Sequence, residues 1–149
     1  MLYSKKIKPP LTPEKKNSKK AIITKSKLTI LFNEEDKSIE ISTPAKNKIL
    51  LDDKKGEILL EDKNKNKILM SKAGIELKSA KDIKITAGSA GKVIVKGMAI
   101  EMKATQGFKA QGLKIELKAS TMFQAEGSAS AMLKSGGQTA VKGSIVMIN

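Results

Sequence analysis

The sequence predicts an all-β protein, a trimeric, intertwined triple-stranded β-helix that forms a β-prism needle with an octad repeat. Three observations support this fold class: short apolar-x-apolar triplets recur about every eight residues, glycines lie between them, and aromatic residues make up 3% of the chain. Alternating side chains point to opposite faces of a strand, so each triplet has the two-residue period of a short strand. With so few aromatic residues, we expect a thin aliphatic core.

The triplets occupy the chain from residue 45 to its end. There are thirteen of them, and 25 of their 26 flanking positions are apolar. We expect the flanks to point inward and the middle residues outward, with glycine supplying positive φ at the corners. A helical stripe is excluded because glycine recurs too often. The triplets begin at Ile49, Ile58, Ile68, Ile75, Ile83, Val93, Ile100, Phe108, Ile115, Phe123, Ala131, Thr139 and Ile145.

Two kinds of β-helix fit an eight-residue unit. A single chain would use about 24 residues for each triangular turn, and with layers about 4.8 Å apart it would be only roughly 20 Å tall. Three chains wound together would make a needle of roughly 60 Å from the same residues. The trimer is favoured because the short coil would expose both of its ends, and because inward alanines suit a narrow axis.

Composition divides the chain into three parts. We expect residues 1–20 to be a basic flexible arm, 21–44 a short strand-rich transition module, and 45–149 the octad-repeat β-helix needle. The transition module contains three apolar runs, with a turn at 33–36. The basic arm contains Lys5, Lys6, Lys8, Lys15, Lys16, Lys19 and Lys20.

Composition also excludes several kinds of site. The chain has no His and no Cys, so it cannot form a Ser-His-Asp triad, a Cys-His dyad or a zinc site of the usual kind. We therefore expect no enzyme activity and no catalytic, cofactor-binding or metal-binding residues. The acidic clusters 34–36 and 52–53 have the pattern of solvated turns. We find no signal peptide and no apolar stretch long enough to span a membrane.

The formal net charge is +14, and the basic residues are all lysine. Either these lysines form a solvated surface, or they bind polyanions without sequence specificity. Arginine and stacking aromatics, which read nucleic acids, are absent or scarce, so no specific nucleic acid is expected.

Three segments resemble the C-terminal β-helical needle of VgrG-type spike proteins, which belong to type VI secretion and contractile phage-tail-like injection systems. The segments are SKLTILFNEEDKSIEISTPAKNKILLDDKKGEILLED (26–62), AGIELKSAKDIKITAGSAGKVIVKG (73–97) and TAVKGSIVMIN (139–149). The resemblance covers roughly residues 21–149. VgrG proteins also have large hub domains and an OB-fold that do not fit in this length, so the chain is either a needle-only piece or a short stand-alone spike.

This resemblance implies a structural puncturing needle. Its partners would be two further copies of the chain, a PAAR-repeat tip protein, effector cargo, and baseplate hub or inner-tube proteins. It would assemble in the bacterial cytoplasm, be injected, and contact the target cell envelope transiently. The expected docking platform for the tip protein is C-terminal, at Ile145, Val146, Met147, Ile148 and Asn149.

Three alternatives remain open at this point. A trimeric adhesin or receptor-binding fibre would need an exposed recognition head. A polyanion-binding β-helix protein would use residues 1–27, and its binding would depend on salt. A β-helix enzyme acting on polysaccharide would need clustered carboxylates, which thin out after Glu101.

Overall fold

A seven-stranded antiparallel sheet occupies the N-terminal half of the chain in the computed structural model, which describes residues 15–148. Each strand pairs with the next along the chain, so the sheet is a simple meander. The strands are β1 Lys19–Ile23, β2 Thr29–Asn33, β3 Ser38–Ser42, β4 Lys48–Asp52, β5 Glu57–Glu61, β6 Lys67–Ser71 and β7 Gly74–Lys78. Between residues 15 and 148 there is no helix, and hence none long and apolar enough to cross a membrane. The prediction of an all-β protein is confirmed.

The strands form where the sequence alternates. Each of the four triplets that begin at Ile49, Ile58, Ile68 and Ile75 is the centre of a five-residue strand. The apolar runs of the predicted transition module form β1, β2 and β3. The predicted turn also forms, because the Asn33 side-chain oxygen accepts hydrogen bonds from the backbone N–H groups of Glu35 and Asp36, at 3.1 and 3.4 Å.

The loops alternate in length along the meander. Three five-residue loops, at 24–28, 43–47 and 62–66, lie along one row of strand ends. Two four-residue turns, at 34–37 and 53–56, and the two-residue turn at 72–73 lie along the other row of strand ends. Strand and loop lengths therefore repeat every 19 residues, and this hairpin repeat differs from the predicted octad.

Positive φ occurs mostly at lysines, which the sequence did not indicate. Lys27, Lys37, Lys46 and Lys65 have φ between 49° and 68°, as does Gly56 at 67°. The expected use of glycine at corners is thus right for Gly56 and for Gly74, which has a φ of 121°. It is wrong for the nine later glycines, none of which has a positive φ. The hairpin loops instead place their left-handed residue by position, whichever side chain stands there.

Residues 79–148 form no strand and no helix. Every residue from Gly88 to Ile148 is exposed, including the apolar flanks of the later triplets. The chain divides into two compact units, the first ending at Val95 and the second beginning at Lys96. The strands expected at the last nine triplets, the octad repeat and the division at residues 20 and 44 stay predictions.

Candidate functional site: an open apolar sheet face

One face of the sheet is almost entirely apolar. Strand register places two rows of side chains on it, each crossing all seven strands. Lys20, at the start of the first row, is the single polar residue among the fourteen positions. After Lys20 that row contains Phe32, Ile39, Leu51, Ile58, Met70 and Ile75, and the second row contains Ile22, Ile30, Ile41, Ile49, Leu60, Ile68 and Leu77.

This apolar face is open to solvent in the single chain. Its central residues, such as Ile41 and Leu60, are 43% and 40% exposed, and Ile75 in the last strand is 74% exposed. No hydrophobic residue between residues 15 and 148 is buried. A contiguous apolar surface of this kind marks an association site, because leaving it in water forgoes the free energy that drives folding.

The opposite face is mixed. Its central row contains Leu31, Leu50, Leu59 and Leu69, but also Glu40 and Glu76. The rows on either side are mainly polar, with side chains such as Ser38, Ser42 and Lys48. This sidedness makes the apolar face, rather than the mixed face, the candidate association surface.

A groove of about 490 Å³ follows the second apolar row. Its floor is formed by Ile41, Ile49, Leu60, Ile68 and Leu77, and its rim by loop residues that include Thr43, Asn47, Asp62 and Asn66. The groove therefore has the apolar floor and polar rim that are common in protein interfaces.

Side-chain hydrogen bonds fix the loops along this rim. The Asp62 carboxylate accepts hydrogen bonds from the backbone N–H groups of Asn64 and Asn66, at 2.8 and 3.0 Å, and from both side-chain amides. Partial burial raises the pKa of Asp62, but these four hydrogen bonds outweigh it and leave the pKa below its usual value. The equivalent residue Thr43 accepts from the Asn47 N–H at 3.3 Å.

The rim loops also bond to one another. The side-chain oxygen of Asn47 accepts a hydrogen bond from the backbone N–H of Lys63, which lies one hairpin further on, at 3.3 Å. That of Asn66 accepts from the Ser79 hydroxyl and the Ala80 N–H, at 2.9 and 3.0 Å. The rim is consequently a connected and ordered border of the apolar face.

An ion pair links the two four-residue turns, which lie along the other row of strand ends. Lys54 donates to Asp36 at 2.8 Å, joining the turns 34–37 and 53–56. This hydrogen bond and the charge of Lys54 lower the pKa of Asp36, while the same contact raises the pKa of Lys54. Asp52 is buried, and its carboxylate accepts from the Lys55 N–H at 3.0 Å. Residues 34–36 and Asp53 are therefore turn residues, as the sequence indicated, whereas Asp52 is the buried last residue of β4, not part of a solvated turn.

The predicted basic arm is described only in part. Lys5, Lys6 and Lys8 lie outside the described residues, and Lys15 is in a turn. Lys19 and Lys20 are in β1. Lys16 approaches Glu35 at 3.7 Å, and Lys20 donates to Glu34 at 3.2 Å. These two lysines are thus oriented toward the turn that follows β2.

The predicted docking platform lies in the second unit. Ile145, Met147 and Ile148 are more than four-fifths exposed and Val146 is about half exposed, whereas Asn149 lies outside the described residues. No part of the chain that the structure describes covers these four side chains, and the platform stays a prediction. Within residues 15–148 no three carboxylates are grouped as a metal site would require.

Sequence reasoning missed the 19-residue hairpin repeat and the lysines with positive φ. The repeat had a signal, because the first two steps between triplets are 9 and 10 residues, while most of the later steps are 7 or 8. The residue type of the left-handed lysines gave no signal of positive φ, because lysine is not a residue that favours it.

The meander and its open face define a class of protein: a β-structured domain with an extended apolar surface available for association. Residues 38–149 match the family described as the phage baseplate V C-terminal trimerisation domain, and the chain belongs to this family. The match is consistent with the C-terminal region of VgrG-type spikes, so the resemblance found in the sequence is confirmed. A comparison with curated proteins gives no match. The family is a structural one of the phage-tail and baseplate type, and its description as a trimerisation domain points to a homotrimer.

Proposed function

We propose that this protein is the needle of a homotrimeric spike at the tip of a contractile injection system. The observation that carries the proposal is the sheet face of thirteen large apolar side chains, open in the single chain of a trimerisation family. Three copies with these faces turned toward a common axis would bury them against one another. Full burial of one such side chain stabilises by about 1.5–3 kcal/mol, so even partial additional burial over thirteen positions is substantial.

The later triplets extend this assembly. Their flanks, such as Val93, Ile100 and Ile115, are more than half exposed, and none of the strands described in residues 15–148 pairs with them. A strand needs a neighbour to satisfy its backbone groups. In the proposed trimer the two other chains supply these neighbours, and the three chains wind into a triple-stranded β-helix.

Such an assembly suits a mechanical role without catalysis. Intertwined chains cannot separate strand by strand, so unfolding under load is slow. In the proposed function the trimer is assembled in the bacterial cytoplasm on baseplate hub or inner-tube proteins and is driven into a target envelope. It delivers effectors and a PAAR-type protein that docks on Ile145–Asn149.

The first test is the mass of the purified protein by light scattering. We expect three times 16.1 kDa for the unchanged chain. Ile41→Glu places a carboxylate on the apolar face, where its burial costs several kcal/mol, so this variant should yield monomers or aggregates.

The matched control is Ser42→Glu, next in β3 and on the opposite face, which should remain trimeric. A monomeric unchanged chain, or equal behaviour of the two variants, would contradict the proposed trimer.

A further inference from the structure

A column of lysines follows the row of strand ends that the five-residue loops connect. The fourth residue of each loop is a lysine: Lys27, Lys46 and Lys65. Two loops add a second lysine, Lys25 and Lys63, and Asp62 is the one acidic residue in the three loops. The five lysines are called the basic column below. Successive loops are two strands apart, so the column has a spacing of about 10 Å.

The backbone holds the lysine at the fourth position of each loop in an unfavourable conformation. The φ angles of Lys27, Lys46 and Lys65 are 63°, 68° and 68°, in the left-handed region where a side chain costs about 1–2 kcal/mol. At the fourth position of the two four-residue turns the chain has Lys37 in one and Gly56 in the other, also with positive φ. The same charged residue therefore occupies the fourth position of all three five-residue loops, although the left-handed backbone there disfavours a side chain.

The loops present these lysines in a fixed geometry. In each loop the fourth N–H donates to the carbonyl of the first residue, at 2.9 Å for Lys27 and Lys46 and 3.1 Å for Lys65. The first residue also bonds to the fifth through its side chain. The three loops thus share these hydrogen bonds, and their backbones place the three lysines at equivalent positions.

The charge of the column is largely uncompensated. Within residues 15–148, Lys25, Lys27, Lys46 and Lys63 form no ion pair. Lys65 contacts Glu61 at 3.1 Å but is 81% exposed. Along the other row of strand ends, by contrast, the four-residue turns contain acidic residues beside their lysines: Glu34, Glu35, Asp36 and Asp53. A one-sided, ordered row of cations is complementary to an anionic surface.

We propose that the basic column binds the phosphate head groups of an anionic lipid surface. Lysines act as point charges that attract juxtaposed lipid phosphates, and no arginine or aromatic residue in these loops offers base recognition or stacking. Leu28, 46% exposed beside Lys27, supplies an apolar contact that a bilayer interface accepts. This proposal goes beyond the proposed trimeric spike and requires only that the column stays exposed in the assembly.

The test measures cosedimentation of the full chain with vesicles. We expect binding to vesicles of phosphatidylcholine and phosphatidylglycerol in equal amounts, weaker binding at high salt, and none to pure phosphatidylcholine. The triple variant Lys27→Gly, Lys46→Gly, Lys65→Gly should bind about 100-fold more weakly, on the basis of the usual contribution of a lysine near an anionic membrane. Glycine suits the left-handed backbone, so this variant should fold at least as well as the unchanged chain.

The matched control is Lys37→Gly. Lys37 has the same left-handed backbone but lies along the other row of strand ends, so this variant should bind like the unchanged chain. Equal binding by the triple variant overturns the proposal. So does preferential binding of the unchanged chain to duplex DNA over the anionic vesicles. A triple variant whose oligomeric mass is smaller than that of the unchanged protein would place the column in the contact between copies, which also overturns the proposal. The mass of the unchanged chain tests the proposed trimer separately.

Discussion

Lys46 is a residue whose side chain and backbone have opposite preferences. Its φ of 68° lies where lysine is strained, and its N–H is nevertheless committed to the Thr43 carbonyl at 2.9 Å. The hydrogen-bonded loop determines the conformation, and the side chain accommodates it. This residue therefore contributes its charge at a cost in local stability.

Replacing Lys46 by glycine should stabilise the protein. Glycine removes the steric cost of the left-handed backbone, and after its own entropic penalty we expect a gain of about 1 kcal/mol in the free energy of unfolding per chain. Thermal denaturation followed by circular dichroism measures the change.

The control for this substitution is Lys48→Gly, two residues later and in the extended backbone of β4. It should lower stability, because glycine weakens a strand interior. Destabilisation by Lys46→Gly would show that the lysine side chain stabilises the loop more than its backbone strains it.

At the residue level, the sequence predicted the chemistry of the turns better than their backbone. Asn33 is a residue type that caps turns, and it does so. The acidic clusters read as solvated turns for the same reason. Positive φ at lysine was not predictable from residue type, since it follows from loop length and strand twist, which only the paired strands determine.

The hairpin is the repeating element of the sheet. Two strands, one long loop and one short turn recur every 19 residues, and the register of each pair keeps the same rows aligned. Because a strand has a two-residue period, this constant register keeps all thirteen apolar side chains on one face. The element therefore determines which side chains form the apolar face.

The meander should lose stability in acid. Lys67 donates to Glu76 at 2.8 Å between β6 and β7, and this hydrogen bond lowers the pKa of Glu76. The pKa values of Asp36 and Asp62 are lowered as well. A carboxyl with a lowered folded pKa contributes stability above its unfolded pKa and loses it as pH falls through the folded value.

We therefore expect the thermal midpoint to be constant above the ordinary carboxyl pKa values, near pH 4–5, and to fall below them. The double variant Asp36→Asn, Glu76→Gln removes two of these titrations and should show a flatter decline. An equally steep decline in the double variant would mean that other groups determine the acid sensitivity.

At the element level, the strands were predictable because each triplet alternates. The strand positions of Ile49 and Ile58 follow directly from that pattern. Their spacing was averaged with that of the later triplets, and a mean of eight concealed the hairpin repeat. Triplets such as the one at Val93 form no strand within residues 15–148, and in our proposal their pairing depends on other chains, which local sequence does not specify.

At the scale of the whole molecule, the two ends differ in charge. Residues 1–27 contain nine lysines and one acidic residue, whereas residues 119–149 contain Lys134, Lys142 and Glu126 as their charges. A trimer would have a formal charge of +42, three times +14. The proposed spike is therefore basic at one end and nearly neutral at the end that would dock a tip protein.

Deleting residues 144–149 should abolish co-purification with a PAAR-type partner and leave a trimer. The segment is mostly apolar, its described residues 144–148 are exposed, and it lies far along the chain from the sheet that drives association in our proposal. A pull-down with a tagged PAAR protein, together with light scattering, measures both properties.

The control for the deletion is Lys142→Ala, which alters a charge next to the platform and should leave the partner bound. Retention of the partner by the truncated chain would rule out Ile145–Asn149 as the platform. Loss of the trimer by the truncated chain would show that this segment contributes to association.

The 19-residue hairpin also acts as a unit of length. A second copy of residues 38–56 would add two strands, or about 10 Å, and would leave every existing side chain on its original face. Adding a single residue within a strand would reverse the faces beyond it. Growth by whole hairpins is thus the change in reach that this architecture tolerates, and the span of the sheet is set by counting repeats.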